Sequence, residues 1–172
     1  MNEASGGDGC APAGAPPLGR VIPALPAWLV LTFCAPALGY AAGQGDWYAG
    51  LSKPAWNPPG WLFGPVWTTL YALMAVAAWL VWRRGGWRAQ RGPLGLYLVQ
   101  LALNAAWTPL FFGLRWPLAG LVDIVLLLAA VVATLAAFVR VRRWAGLLLV
   151  PYLLWVSFAT VLNFTLWQLN GG

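Results

Sequence analysis

The chain has 172 residues, of which 61% are hydrophobic and 15% aromatic, with a formal net charge of +6. A mean hydropathy of +0.71 excludes an ordinary soluble domain. The absence of histidine, a single lysine (Lys53) and only four acids (Glu3, Asp8, Asp46 and Asp123) leave almost no material for imidazole ligation, Schiff-base chemistry or paired-carboxylate catalysis.

Residues 1–20 are small, Gly/Pro/Ala-rich and polar, and read as a disordered tail with no signal-peptide pattern. Cys10 lies in this tail and Cys34 inside an apolar run, so neither a disulfide framework nor a zinc site is expected, and no cofactor is. Five apolar runs follow, at about 21–42, 61–82, 93–112, 117–139 and 144–169. Each is long enough to cross a bilayer, which takes roughly 20 residues. Their continuity argues against the alternating strands of a barrel. The expected fold is an all-α integral membrane protein, a five-transmembrane-helix bundle occupying residues 21–172.

The first run carries Pro23, Pro26 and Pro36, which predicts a kink, and a small-residue stripe at Ala35, Gly39 and Gly43. With Ala102 and Ala106 in the third run, that stripe makes a homodimer an expectation. The connection 43–60 is the longest and most aromatic, and Pro54, Pro58 and Pro59 stiffen it.

The basic residues fall on two sides. Arg20, Arg83, Arg84, Arg88, Arg91, Arg140, Arg142 and Arg143 lie on the N-terminal face, with only Lys53 and Arg115 opposite. The positive-inside rule then puts the N-terminus in the cytoplasm and the 43–60 loop outside. Basic residues at span ends imply contact with membrane lipid, anionic headgroups included, and no nucleic-acid partner.

Polar and aromatic side chains recur at helical spacing within the runs. Gln100, Asn104, Trp107 and Phe111 share one face of the third; Trp67, Tyr71 and Met74 do so in the second, and Tyr152, Trp155, Ala159 and Leu162 in the fifth. Amides in hydrocarbon need partners, so Gln100 and Asn104 are expected to face the protein interior. Trp28, Trp82, Trp87, Trp116, Trp144 and Trp167 read as interfacial anchors. Trp67, Trp107 and Trp155 lie deeper, where pattern alone leaves core packing and ligand contact both open. Pattern alone favours an interhelical bridge for Asn104 and a structural carboxyl, protonated or paired, for Asp123.

The segments CAPALG (34–39), WYAGLSKPAWNPPGWLFGPVWTTLY (47–71), QLALNAAWTPLFF (100–112), LVD (121–123) and VPYLLWVSFATVLNF (150–164) together resemble the TspO/MBR family of tryptophan-rich sensory and translocator proteins. The resemblance implies a five-helix bundle with a ligand cavity in its loop-side half, lidded by the 43–60 loop. The implied ligands are porphyrins and haem-type tetrapyrroles, sterols and benzodiazepine-type drugs, in a receptor or translocator role with a sensory or regulatory part in tetrapyrrole handling. Matched by motif, the implied ligand-binding residues are Tyr48, Trp67, Tyr71, Asn104, Trp107, Trp155 and Ala159. Trp67 and Trp155 match the pair proposed for light- and oxygen-dependent porphyrin breakdown in some members, and would be catalytic in that reading. Among the departures, Phe164 and Gln168 stand where the C-terminal sterol-recognition pattern needs Tyr and a basic residue. A third reading is a structural or partner-binding bundle without a small-molecule role.

Overall fold

The computed structural model describes residues 24–40 and 46–171. The expected tail at 1–20, the start of the first span at 21–23 and loop residues 43–45 lie outside the described residues. Among the described residues four helices are long and apolar enough to cross a membrane, Gly60–Trp82, Gly86–Gly113, Pro117–Val141 and Arg143–Leu169, joined by a shorter apolar helix at Ala24–Ala35. The architecture is an all-α membrane bundle of about five helices.

Helix α1 spans Ala24–Tyr40. Pro26 falls in its first turn, where a missing N–H costs nothing, and Pro36 lies inside a segment that is helical throughout. A short helix α2, Asp46–Ala49, opens the described part of the loop. Helix α3 spans Gly60–Trp82. Helix α4 begins at Gly86, about two turns before the expected Pro93, and runs to Thr108. Its backbone is non-helical at Gln90 (φ −115°, ψ 23°). Pro93 explains the kink: its ring removes one main-chain donor and crowds the preceding turn. The Gln90 amide donates to Arg84 O at 3.0 Å, tying the bend to the end of α3.

Beyond α4 the chain widens into a π-helical turn, Pro109–Gly113, closed by Leu114 N–H donating to Pro109 O at 2.9 Å. Helix α5 spans Pro117–Val141. The fifth run is divided into α6, Arg143–Leu147, and α7, Val150–Leu169, with Pro151 in the first turn of α7.

Helix α4 packs most extensively on α5, and α5 on α7; α1 lies against α3 and α4, while α3 and α7 meet sparsely. The dense core occupies the arginine-bearing end. Met74, Ala75, Ala77, Ala78, Val81, Leu94, Tyr97, Phe138 and Ala145 there have no exposed surface. Small residues allow this close approach in lipid, where apolar burial gives little drive between helices.

One expected anchor is different. Trp28 is buried, with its ring edge-on to Tyr97 at 5.7 Å. The Thr32 hydroxyl donates to Trp28 O at 2.6 Å and pairs with the Tyr97 hydroxyl at 2.6 Å. Trp28 therefore serves the α1–α4 contact and not the membrane interface. Trp87, Trp116 and Trp144 are exposed, as anchors require. Of the small-residue stripes, Ala35 is buried within the chain and Ala102 is exposed on α4; Gly43 lies outside the described residues.

Candidate functional site

In the loop-side half the bundle does not close on itself. A cavity of about 620 Å³ lies between α3, α4, α5 and α7, beneath the loop. That volume falls in the range of about 300–1,000 Å³ typical of small-molecule sites. Tyr48, Trp67, Tyr71, Asn104, Trp107, Trp155 and Ala159 all line it. Among the described residues its walls hold no Asp, Glu, Lys or Arg. Any ligand is therefore held by shape, ring contact and neutral hydrogen bonds.

Two asparagines organise the walls. Asn104, buried on α4, accepts from the Tyr71 hydroxyl at 2.6 Å and donates to the Tyr152 hydroxyl at 3.1 Å. It bridges helices, as its pattern suggested, and lines the cavity as well. One of its two amide hydrogens is used in that bridge, and the other has no partner among the described residues. Asn163, buried on α7, accepts from the Trp107 indole at 3.1 Å and donates to Pro117 O at 3.0 Å. It fixes the Trp107 ring and ties α7 to the start of α5. The sequence reading passed over Asn163. The signal was present: it stands at i+8 from Trp155 and i+4 from Ala159, an amide in an apolar run like Gln100 and Asn104.

The rings form a continuous lining. Trp67 stacks on Tyr71 (5.2 Å, 24°) and meets Trp155 edge-on at 6.5 Å. On the opposite side Trp107 stacks on Phe111 (5.0 Å, 17°). The π-helical turn sends the consecutive residues Phe111 and Phe112 both to the cavity, which a regular helix, turning 100° per residue, does poorly. Gly120 of α5 makes room for this turn: a Cβ there would lie 2.9 Å from Phe111 Cδ2 and 3.2 Å from Asn163 Oδ1.

The loop covers one side of the cavity with Tyr48, Asn57 and Pro58. The Tyr48 hydroxyl donates to Asn57 Oδ1 at 3.2 Å, and its ring meets Phe112 edge-on at 5.4 Å. Burial pushes the Tyr48 phenol above its ordinary value of 10.0, with the Asn57 hydrogen bond opposing less strongly, so at neutral pH it is a neutral donor.

Two further polar groups are buried away from this lining. Gln100 faces the interior as expected, yet neither amide atom has a hydrogen-bond partner among the described residues; nor has Asp123 Oδ2. Met74 likewise packs in the core and does not reach the cavity.

Known proteins repeat this chain closely. The human translocator protein is 47% identical over 147 residues, covering 80% of this chain and 87% of that protein. The tryptophan-rich protein TspO of Chlorobaculum tepidum is 54% identical over 126 residues, 72% of this chain and 79% of its own. The tryptophan-rich sensory protein of Cereibacter sphaeroides is 43% identical over 148 residues, 83% of this chain and 91% of its own. The family model for TspO/MBR matches residues 24–168. With its helices and similarity both extending over most of the sequence, the chain belongs to the TspO/MBR family and is an integral, multi-pass membrane protein.

Proposed function

We propose that the cavity binds porphyrins or related flat, conjugated, hydrophobic ligands, and that the protein acts as a receptor or translocator in tetrapyrrole handling. The observation that carries this reading is the convergence of Trp67, Trp107 and Trp155 on one uncharged cavity of about 620 Å³. Indole and phenol faces suit a planar conjugated ring through offset stacking. With no histidine in the chain to ligate iron, metal-free porphyrin suits the site better than haem. Sterol binding through the C-terminal pattern has no support in Phe164 and Gln168. On the positive-inside rule, we place the arginine face in the cytoplasm and the lid on the far side.

A second reading has its own observation. Trp67 and Trp155 lie ring to ring at the cavity wall, where an indole can give an electron to a light-excited porphyrin while dioxygen serves as the oxidant. The ring-lined wall would limit the access of water to the product.

One experiment separates the readings. Protoporphyrin IX is titrated in the dark against purified protein and the Trp67→Phe and Trp155→Phe variants, following tryptophan quenching, and then the samples are illuminated. Saturable quenching, weakened at least in part by Trp67→Phe, is the expected result. Loss of photobleaching in Trp155→Phe with affinity retained would favour the chemical reading. Quenching that never saturates, or is the same in all three proteins, would leave the structural bundle as the better account.

A further inference from the structure

We propose that Asn170 is the catch of the lid and sets how fast the cavity opens; the proposal rests on the binding role argued above for that cavity. Asn170 stands just past the last turn of α7 and does not line the cavity. Its side-chain amide meets the main chain of Ser52 edge to edge. Ser52 N–H donates to Asn170 Oδ1 at 2.9 Å, and Asn170 Nδ2 donates to Ser52 O at 3.0 Å. The same Nδ2 donates to Leu166 O at 2.8 Å, which anchors the side chain to its own helix. A primary amide presents donor and acceptor in one plane, as a peptide unit does; aspartate keeps only the acceptor and alanine neither.

Ser52 is coupled to the cavity through its neighbour. Lys53 Nζ donates to Ala49 O at 3.0 Å and Leu51 O at 3.2 Å, and lies 4.8 Å over the Tyr48 ring. Segment 48–53 is thus folded on itself around the one lid tyrosine that lines the cavity. Two kinds of attachment hold it. Trp47 and Tyr48 rest on Phe111 and Phe112 through edge-on rings, contacts without a fixed direction. The Asn170 pairing is directional, and both Ser52 and Asn170 are exposed. Water competes for each of its hydrogen bonds, so the pairing is weak enough to open often.

Because Asn170 does not line the cavity, the proposed catch holds the lid equally with the cavity empty or filled. A group with no differential contact with two states cannot shift the balance between them. Its loss therefore speeds entrance and exit together and leaves affinity unchanged, a change in gating of the kind lids impose.

The test needs no ligand in its first arm. In full-length protein carrying Cys10→Ser and Cys34→Ser, a reporter cysteine is placed on the cavity wall by Ala159→Cys, or in the packed half by Ala145→Cys. Both are labelled with a water-soluble maleimide in lipid nanodiscs. Asn170→Ala is expected to speed labelling at 159 about tenfold, the scale of two water-exposed hydrogen bonds, with no change at 145. Asn170→Asp should fall between. An unchanged rate at 159 overturns the proposal, and so does equal acceleration at both positions, which would mean general loosening. In the second arm, stopped-flow quenching by protoporphyrin IX should show kon and koff rising together with Kd constant. A weaker Kd carried by koff alone would overturn the proposal, because Asn170 would then act only in the complex. Failure of the wild type to show saturable quenching sinks the porphyrin reading, while the labelling arm still decides the catch.

Discussion

Helix α3 changes character along its length. At the arginine-bearing end it presents Met74, Ala75, Ala77, Ala78 and Val81, all without exposed surface. Toward the loop it presents Gly60, Phe63, Gly64, Trp67 and Tyr71 to a cavity. Small side chains let neighbouring backbones close up, whereas large rings standing on sparsely packed helices hold them apart and leave volume between. The polar groups follow the same division. Thr32 and Tyr97 satisfy one another within the packed end, while Asn104 and Asn163 hold rings in place around open space. Cohesion and binding are thus assigned to opposite ends of the same helices, and substitutions should separate them.

The largest effect is expected at the packed end. Phe138 has no exposed surface and stacks on Tyr97 (6.0 Å, 19°). Phe138→Ala should cost about 3–5 kcal/mol of stability, read as a large drop in thermal midpoint in detergent or nanodiscs. The dark protoporphyrin Kd of the protein that remains folded should stay within about twofold, since distant sites act nearly independently. A large loss of affinity alongside the lowered midpoint would erase the division between the halves.

The complementary substitution is Asn104→Leu at the cavity. It strands the buried Tyr71 and Tyr152 hydroxyls, at about 1–3 kcal/mol, and removes a free donor from the cavity wall. Porphyrin affinity should fall about tenfold, with a smaller shift in midpoint than Phe138→Ala produces. If the midpoint falls further than for Phe138→Ala and affinity holds, Asn104 is an interhelical bridge and nothing more, the role that its pattern first suggested.

The residues that the sequence made legible share a property: each repeats at helical spacing on one face. The stripes through Trp67 and Tyr71, Asn104 and Trp107, and Trp155 and Ala159 need only a regular helix to converge, and they reach one cavity. What escaped depends on irregular backbone or on distant pairing. The π-helical turn brings Phe112 to the wall beside Phe111, and no regular periodicity predicts the extra residue of such a turn. The bend at Gln90 moves the start of α4 back to Gly86, since a hydropathy run marks where apolar residues begin and not where helix begins. The Trp28–Tyr97 contact and the Asn170–Ser52 pairing join residues far apart in sequence, so no local rule reports either. Asn163 was within reach, and the reason for flagging Gln100 applied equally to it.

The smallest effect is expected from pH, and it sharpens the contrast because the two ends differ in charge. The cavity walls contain no carboxylate, lysine or arginine among the described residues, and the chain has no histidine. Tyr48 is the titratable group that the loop brings to the cavity wall, and burial raises its phenol above 10.0. A raised pKa in an acid favours the neutral form, so the Tyr48 donation to Asn57 persists through neutral pH and fails only as pH climbs past that raised value. Porphyrin affinity, measured with a probe whose own charge is constant, should be flat from about pH 6 to about pH 9. Tyr48→Phe should remove any weakening that appears above pH 10 and change affinity at neutral pH by less than about fivefold, the scale of one half-buried hydrogen bond. A titration centred near neutrality would require an ionisable group at the site, and Asp123, buried on α5 with Oδ2 unpartnered among the described residues, would be the first residue to replace, as Asp123→Asn.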